Sequence, residues 1–130
     1  MEFEKFYICD SNGNSNCVIR SFCKLFNKEY NEMKEELINL TKKKNANNYN
    51  DMEVFETYLS SKDYIIEEIN NDIKVEDLKL SKGKYAILCW NKKDYYHMIP
   101  IIDNAIYDRT NECLELYVLK VYKQQKNRWL

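Results

Sequence analysis

The chain is short of the residues that punctuate and link. Its 130 residues include two glycines and one proline. That excludes Gly-rich and Pro-rich linkers, a G-x-G-x-x-G dinucleotide loop and a Walker phosphate loop. It has one histidine, His97, and no C-x-x-C pair among its five cysteines, at 9, 17, 23, 89 and 113. No two potential ligands stand at finger or ribbon spacing, so no metal is expected. An odd cysteine count argues against a disulfide framework. There is no excess of either charge: 20 Lys and Arg balance 21 Asp and Glu, for a net charge of −1. Nonspecific binding to nucleic acid or to an anionic membrane surface wants a basic excess, so neither partner is expected. No apolar run approaches the ~18 residues needed to span a bilayer. The N-terminal MEFEKFYICDSNG has neither a basic n-region nor an apolar h-region. It does not read as a signal peptide, and the expected localisation is cytoplasmic.

What is present fits one domain over residues 1–130. Hydrophobic residues make up 45% of the chain, and a chain of this length buries roughly two-thirds of its unfolded surface. Residues 10–16, DSNGNSN, are all turn and cap formers. Then comes CVIRSFCKLFNK, with Cys17, Ile19, Phe22, Cys23 and Phe26 at mixed three- and four-residue spacing. That predicts an amphipathic helix capped by Asn16 or Ser15. A second helix is predicted over 29–44, on Tyr30, Met33, Leu37 and Leu40, with Lys42 to Lys44 at its C-terminal dipole end. A third is predicted over 51–61, with Met52, Phe55, Tyr58 and Leu59 inward and Asp51 or Asn50 as cap. The period then drops to two. Tyr64 to Glu67 is a short strand, and 72–80 fits neither period. Strands follow at 84–90, 95–102, 105–109 and 113–123, with turn signals at Lys82-Gly83 and Asp103-Asn104. Helices first and an antiparallel meander after them make an α+β fold.

Two residues carry the chemical interest. Cys17 opens a helix, where unpaired N–H groups and the positive dipole end favour a thiolate. A cysteine there can also be a small buried hydrophobe. His97 sits in YYHMIPIIDNAIYDRT. If Asp103-Asn104 is a two-residue turn, Ile102 opposes Ala105, Ile99 opposes Asp108 and His97 opposes Thr110. Asp108 then shares a face with His97 as its diagonal neighbour. A bulge at Pro100 would flip this register. A carboxylate beside a histidine fixes its tautomer and stabilises its imidazolium. Cys17, His97 and Asp108 therefore supply a nucleophile, a base and an orienter. Asn12, Asn14 or Asn16 could complete an oxyanion hole with the Cys17 N–H, Asn12 being best placed, Asn14 close behind and Asn16 reading more simply as the cap. Trp90 and Tyr96 lie near His97 and could line a substrate groove. Arg20, one turn past Cys17, could help the thiolate, but it reads most simply as a solvated arginine. Arg109 should face away from His97, and Cys23 reads as core.

This order resembles the papain-like cysteine peptidase superfamily: a Cys at a helix start, a helical region, a His on a strand, an Asp on the next. More narrowly, NCVIRSF, NKEYNEM and HMIPIIDNAIYD look like small papain-like domains of bacterial and phage genomes. The resemblance spans roughly residues 8–110. It implies a papain-like fold with the Cys helix packed on an antiparallel sheet, Cys17 as nucleophile, His97 as general base and Asp108 as orienter. It implies no cofactor, and a protein or peptide substrate. Three positions depart from the pattern. Asn and Ser stand where a Gln oxyanion donor is usual, Asn104 stands where Gly follows the turn Asp, and Pro100 interrupts the His strand.

Three functions remain open on sequence. One is a thiol hydrolase cleaving a peptide, isopeptide or other amide bond. Another is a non-catalytic papain-like scaffold, such as a phage or mobile-element factor, that sequesters a host protein or a small molecule. The third is a structural role in which Cys17 and His97 are incidental.

Overall fold

Asn16 starts the first helix. Its backbone is extended, and its side-chain oxygen accepts from the Val18 and Ile19 N–H groups. Two of the orphan donors of a helix start are thereby satisfied. Helix α1 is Cys17–Phe26, and it ends at Asn27 in the left-handed conformation, φ 54°. Helices α2, Tyr30–Lys43, and α3, Met52–Ser61, follow as expected. Asp51 occupies the cap position of α3 without a capping side-chain bond. Its carboxylate instead accepts from the Asn48 N–H. The computed structural model describes residues 1–69 and 72–125. Positions 70–71 and 126–130 of the single domain expected over 1–130 lie outside the described residues.

Six strands form one sheet among the described residues: β1 Glu2–Lys5, β2 Tyr64–Glu67, β3 Lys84–Trp90, β4 Tyr96–Ile102, β5 Ala105–Asp108 and β6 Tyr117–Gln124. Their order across the sheet is β1-β5-β4-β3-β6-β2. The fold is α+β, but the sheet is mixed rather than an antiparallel meander. β1 pairs in parallel with β5, Glu2 opposite Ala105 through Lys5 opposite Asp108. Its sequence, EFEK, carries one apolar side chain among three charges, too few for a periodic signal. The predicted strand 113–123 is also shorter than expected. Thr110 accepts from the Glu112 N–H and caps a 3₁₀ turn, Asn111–Glu115, so β6 begins only at Tyr117. The ambiguous 72–80 segment holds a second 3₁₀ turn, Val75–Asp77.

The sheet is covered on both faces, which explains why β3 and β4 read as near-continuous apolar runs. On one face Ala86, Leu88, Met98 and Tyr122 pack under the three helices. On the other, Tyr85, Ile87, Cys89, Ile99, Ile101 and Ile106 pack under Val75, Leu78 and Cys113 of the turn-bearing segments. By alternation His97 belongs to this second face, with Ile99 and Ile101. Along β6 the pairing slips between Leu88 and Cys89, so Val118 and Val121 both reach the second core. A bulge has this effect by adding one residue to one strand.

The β4–β5 turn is the one the sequence signals. Asp103 and Asn104 both have positive φ, 48° and 67°, as a type I′ hairpin requires. Ile102 opposes Ala105 and Ile101 opposes Ile106. Pro100 does not flip this register. The paired ladder does not reach it on the β5 side, which suits a residue with no N–H to give. Helix α1 is fastened to β4 by Ser21 Oγ, which donates to the Met98 carbonyl at 3.0 Å. That bond, with the burial of Ile19 and Phe22, sets the start of α1 against β4.

Candidate active site

The loop ahead of α1 is closed by one aspartate. Asp10 Oδ1 accepts from the N–H groups of Asn12 and Asn14, both at 2.9 Å. Gly13, at φ +80°, takes the conformation a side chain would resist. The Asn14 N–H bond, with that of Asn12 and the Lys34 charge, holds the Asp10 carboxyl below its ordinary value against partial burial. Ser15 Oγ donates to the Ile8 carbonyl at 2.7 Å, and the Asn16 N–H donates to Tyr30 Oη at 2.9 Å. Cys17 is thus presented as the first helical residue by a loop fixed at both ends. Its N–H has no partner within the helix, as the first residue's never does.

His97 faces this cysteine from β4. Its Nε2–H donates to Asp108 Oδ2 at 2.7 Å. That assignment leaves Nδ1 as the ring nitrogen that can serve Cys17, whose thiolate His97 favours. Tyr95 stacks on the imidazole at 5.8 Å and 18° between planes, with its Oη 3.3 Å from Nδ1. The Asn91 side chain builds the tight loop behind Tyr95 by accepting from the N–H groups of Lys93, Asp94 and Tyr95. His97 and Asp108 are 9% and 4% exposed, so their bond is dry and strong.

The cysteines differ sharply. Burial raises Cys23 to about 11 and Cys113 to about 12, and pushes Cys89 higher still. Burial acts against the Cys17 thiolate too. The hydrogen bond and charge of His97, the Met98 backbone N–H and the Arg20 charge outweigh it, and Cys17 is lowered. For His97, burial alone would lower the imidazolium. The bonds to Asp108 and Cys17, and their charges, hold it up at about 9. Asp108 is kept ionised against burial by His97, the Arg109 N–H and Arg20. These influences all favour a thiolate beside an imidazolium, with a carboxylate on the far ring nitrogen.

Two cavities open on the pair. One, about 580 Å³, is lined by Ser15, Asn16, Tyr95, Arg109, Glu112 and Leu116 among others. The second, about 380 Å³, is lined chiefly by Val18, Met52, Phe55, Leu88 and Met98. Cys17, Tyr96 and His97 line both. Cys17 and His97 therefore stand between a chamber of mixed lining and a mainly apolar one.

The expected site residues are placed unevenly. Cys17, His97, Asp108 and Tyr96 come together. Trp90 stacks on Tyr96 at 5.5 Å but lines neither cavity. Asn12 and Asn14 are exposed in the loop and line neither cavity, because Asp10 gathers that turn to itself. Asn16 does line the larger one. Its side-chain oxygen is committed to the cap, which leaves its NH₂ as the donor nearest the Cys17 N–H in sequence. Arg109 is among the residues lining the larger cavity, and its guanidinium lies 4.6 Å over the Tyr7 ring. Arg20 is not solvated. It is 4% exposed and paired with Asp108 at 3.1 Å. The signal lay in its neighbours: Ile19, Ser21 and Phe22 are all buried, so the helix has little face left for a solvated charge.

Among the described residues no group of three His, Cys, Asp or Glu could hold a metal. Among them also no helix is long and apolar enough to cross a membrane. No family model, no curated protein and no solved structure matches the chain.

Proposed function

We propose that the protein is a thiol hydrolase acting on a peptide, isopeptide or other amide bond, with a protein or peptide as substrate. The observation that carries this reading is the Cys17–His97–Asp108 array, in which His97 and Asp108 are buried with 2.7 Å between Nε2 and the carboxylate. The papain-like reading of the scaffold rests on the same order, a thiol at a helix start before an imidazole on a strand and a carboxylate on the next. In the reaction, Cys17 Sγ attacks the substrate carbonyl carbon and forms the C–S bond. The Cys17 N–H and the Asn16 NH₂ stabilise the oxygen that becomes negative. His97 Nδ1–H gives its proton to the leaving amine nitrogen as the C–N bond breaks. A water then attacks the thioester, passes a proton to Nδ1, and the thiolate and a carboxylic acid result. Asp108 holds the imidazole in the tautomer both steps need.

The test is the pH dependence of iodoacetamide alkylation at each cysteine, read by peptide mass spectrometry on the folded protein. An ordinary thiol at 9.0 is only about one part in a thousand thiolate near pH 6. Cys17 is expected to react at least tenfold faster than that fraction allows, and to slow in His97→Ala. An ordinary profile, or one unmoved by His97→Ala, defeats the reading. A Cys17→Ala variant that keeps full biological effect would transfer support to a sequestering scaffold.

A further inference from the structure

Arg20 stands inside the site without touching either reacting group. Its Nη2 donates to Asp108 Oδ1 at 3.1 Å, and its Nη1 donates to Ser15 Oγ at 2.8 Å. Ser15 Oγ in turn donates to the Ile8 carbonyl. The Arg20 and Asp108 side chains are 5% and 6% exposed, so both ends of the bond are dry. Asp108 Oδ1 also accepts the Arg109 N–H at 2.8 Å. Two donors therefore occupy Oδ1, and Oδ2 is left for His97.

From this geometry we infer that Arg20 is a positioning residue that couples the histidine's carboxylate to the loop preceding the nucleophile. The inference rests on the thiol hydrolase reading for its purpose, but not for its geometry. One arm of the planar guanidinium clamps the carboxylate so that it cannot rotate away from Nε2. The other arm holds Ser15, two residues before Cys17. Both halves of the array thus share one rigid part, although they come from a helix start and a strand end far apart in the chain.

Charge points the same way. The thiolate, the imidazolium, the Asp108 carboxylate and the Arg20 guanidinium sum to zero. Without Arg20 the buried set would carry a net negative charge, which opposes the thiolate. Of the groups around it, Arg109 and Glu112, which line the larger cavity, are of opposite charge. The Cys113 thiol lies beside Asp108, the Cys89 thiol behind His97 and the Tyr95 hydroxyl against its ring. Burial keeps both of those thiols neutral, so none of the three replaces the lost cation. Lysine would return the charge but not the fork, because its ammonium is a single point with no planar second arm.

The experiment compares wild type, Arg20→Lys and Ser15→Ala in two readouts. The first is the ¹H resonance of His97 Nε2–H, unambiguous because the chain has one histidine. The second is the Cys17 alkylation profile with iodoacetamide. Wild type is expected to show a slowly exchanging, strongly downfield proton. Arg20→Lys should lose it to exchange and slow Cys17 near pH 6 by about tenfold, the effect of one pKa unit. Ser15→Ala should shift the profile in the same direction by a smaller factor. A folded Arg20→Lys with the wild-type proton and profile overturns the inference. If Arg20→Lys does not fold, Ser15→Ala decides, and an unmoved profile overturns it. An ordinary Cys17 in wild type would instead defeat the hydrolase reading, while the Nε2–H resonance would still judge Arg20.

Discussion

Replacing Asp108 with asparagine in a Cys17→Ala background isolates the carboxylate's hold on His97. The background matters because Cys17 and His97 titrate as a pair, so each would otherwise report on the other. With the thiol gone, two opposed influences remain on the imidazole. Burial lowers it, and the Asp108 bond and charge raise it. In the intact site the raising side prevails by enough to move His97 from 6.5 to about 9. That gap corresponds to roughly 3 kcal/mol and is what remains after Asp108, with Cys17, outweighs burial. The Cys17→Ala protein should therefore titrate above 6.5. In Cys17→Ala/Asp108→Asn, burial acts unopposed and His97 should titrate below 6.5. The readout is the imidazole Hε1 chemical shift against pH. Equal midpoints in the two proteins would refute Asp108 as the orienter.

The same shifts govern stability against pH. His97 is raised, so its contribution is complete below 6.5 and disappears as pH climbs towards about 9. Asp108 is lowered, so its contribution is complete above 3.8 and disappears as pH falls through its lower folded value. In the Cys17→Ala protein these windows overlap between 3.8 and 6.5. Urea midpoints should be highest there. In Asp108→Asn both arms of the profile should flatten. The midpoint should also fall, because a buried Arg20 left without its carboxylate costs about 3–5 kcal/mol.

Two further outcomes follow from the fold. Asn16→Ala removes the acceptor for the Val18 and Ile19 N–H groups and should cost about 1 kcal/mol in urea unfolding. It should also slow Cys17 alkylation, since the helix start that presents the thiol is loosened. Ile87→Ala empties a fully buried position in the central strand and should cost about 2–5 kcal/mol by the same measurement. Alkylation of Cys17 in that protein, once folded, should match wild type, because Ile87 lines neither cavity.

Local chemistry was the legible part of this chain. The DSNGNSN loop, the Asn16 cap and the Asp103-Asn104 turn each declare themselves in residue types with strong backbone preferences. From the turn and strict alternation alone, Asp108 falls beside His97, and the structure brings the two together. What escaped was decided by partners distant in sequence. The four-residue strand β1 exists because β5 offers it an open edge, and EFEK has no pattern of its own to say so. The start of β6 depends on Thr110 capping a turn, which competes with a strand that CLELYVLKVYK would otherwise support. Arg20 escaped for a related reason. Its partners, Ser15 and Asp108, lie five and 88 positions away, and a charge in an amphipathic helix is usually on the wet side. Asn12 and Asn14 fall outside both cavities because Asp10, read as one turn former among several, draws the loop around itself.

The buried polar set also bears on whether Cys17 and His97 are incidental. Among the described residues Arg20, His97 and Asp108 are the buried side chains of charged type or imidazole, with Ser21 the other buried polar one. Desolvating such groups is costly, and well-packed apolar replacements of buried ion pairs are often neutral or stabilising, by about 1–4 kcal/mol. A fold selected only to persist gains little from keeping them. A triple replacement, Arg20→Met with His97→Leu and Asp108→Leu, distinguishes the two cases. The apolar contacts available are real: Cys89 and Cys113 already flank the site from the second core. If the set is there for chemistry, the triple variant should unfold at equal or higher urea than wild type. Its Cys17 should alkylate as an ordinary thiol. If the set is a structural brace, the triple variant should lose several kcal/mol, as the single variants do, and the case for a working thiol would then rest on reactivity alone.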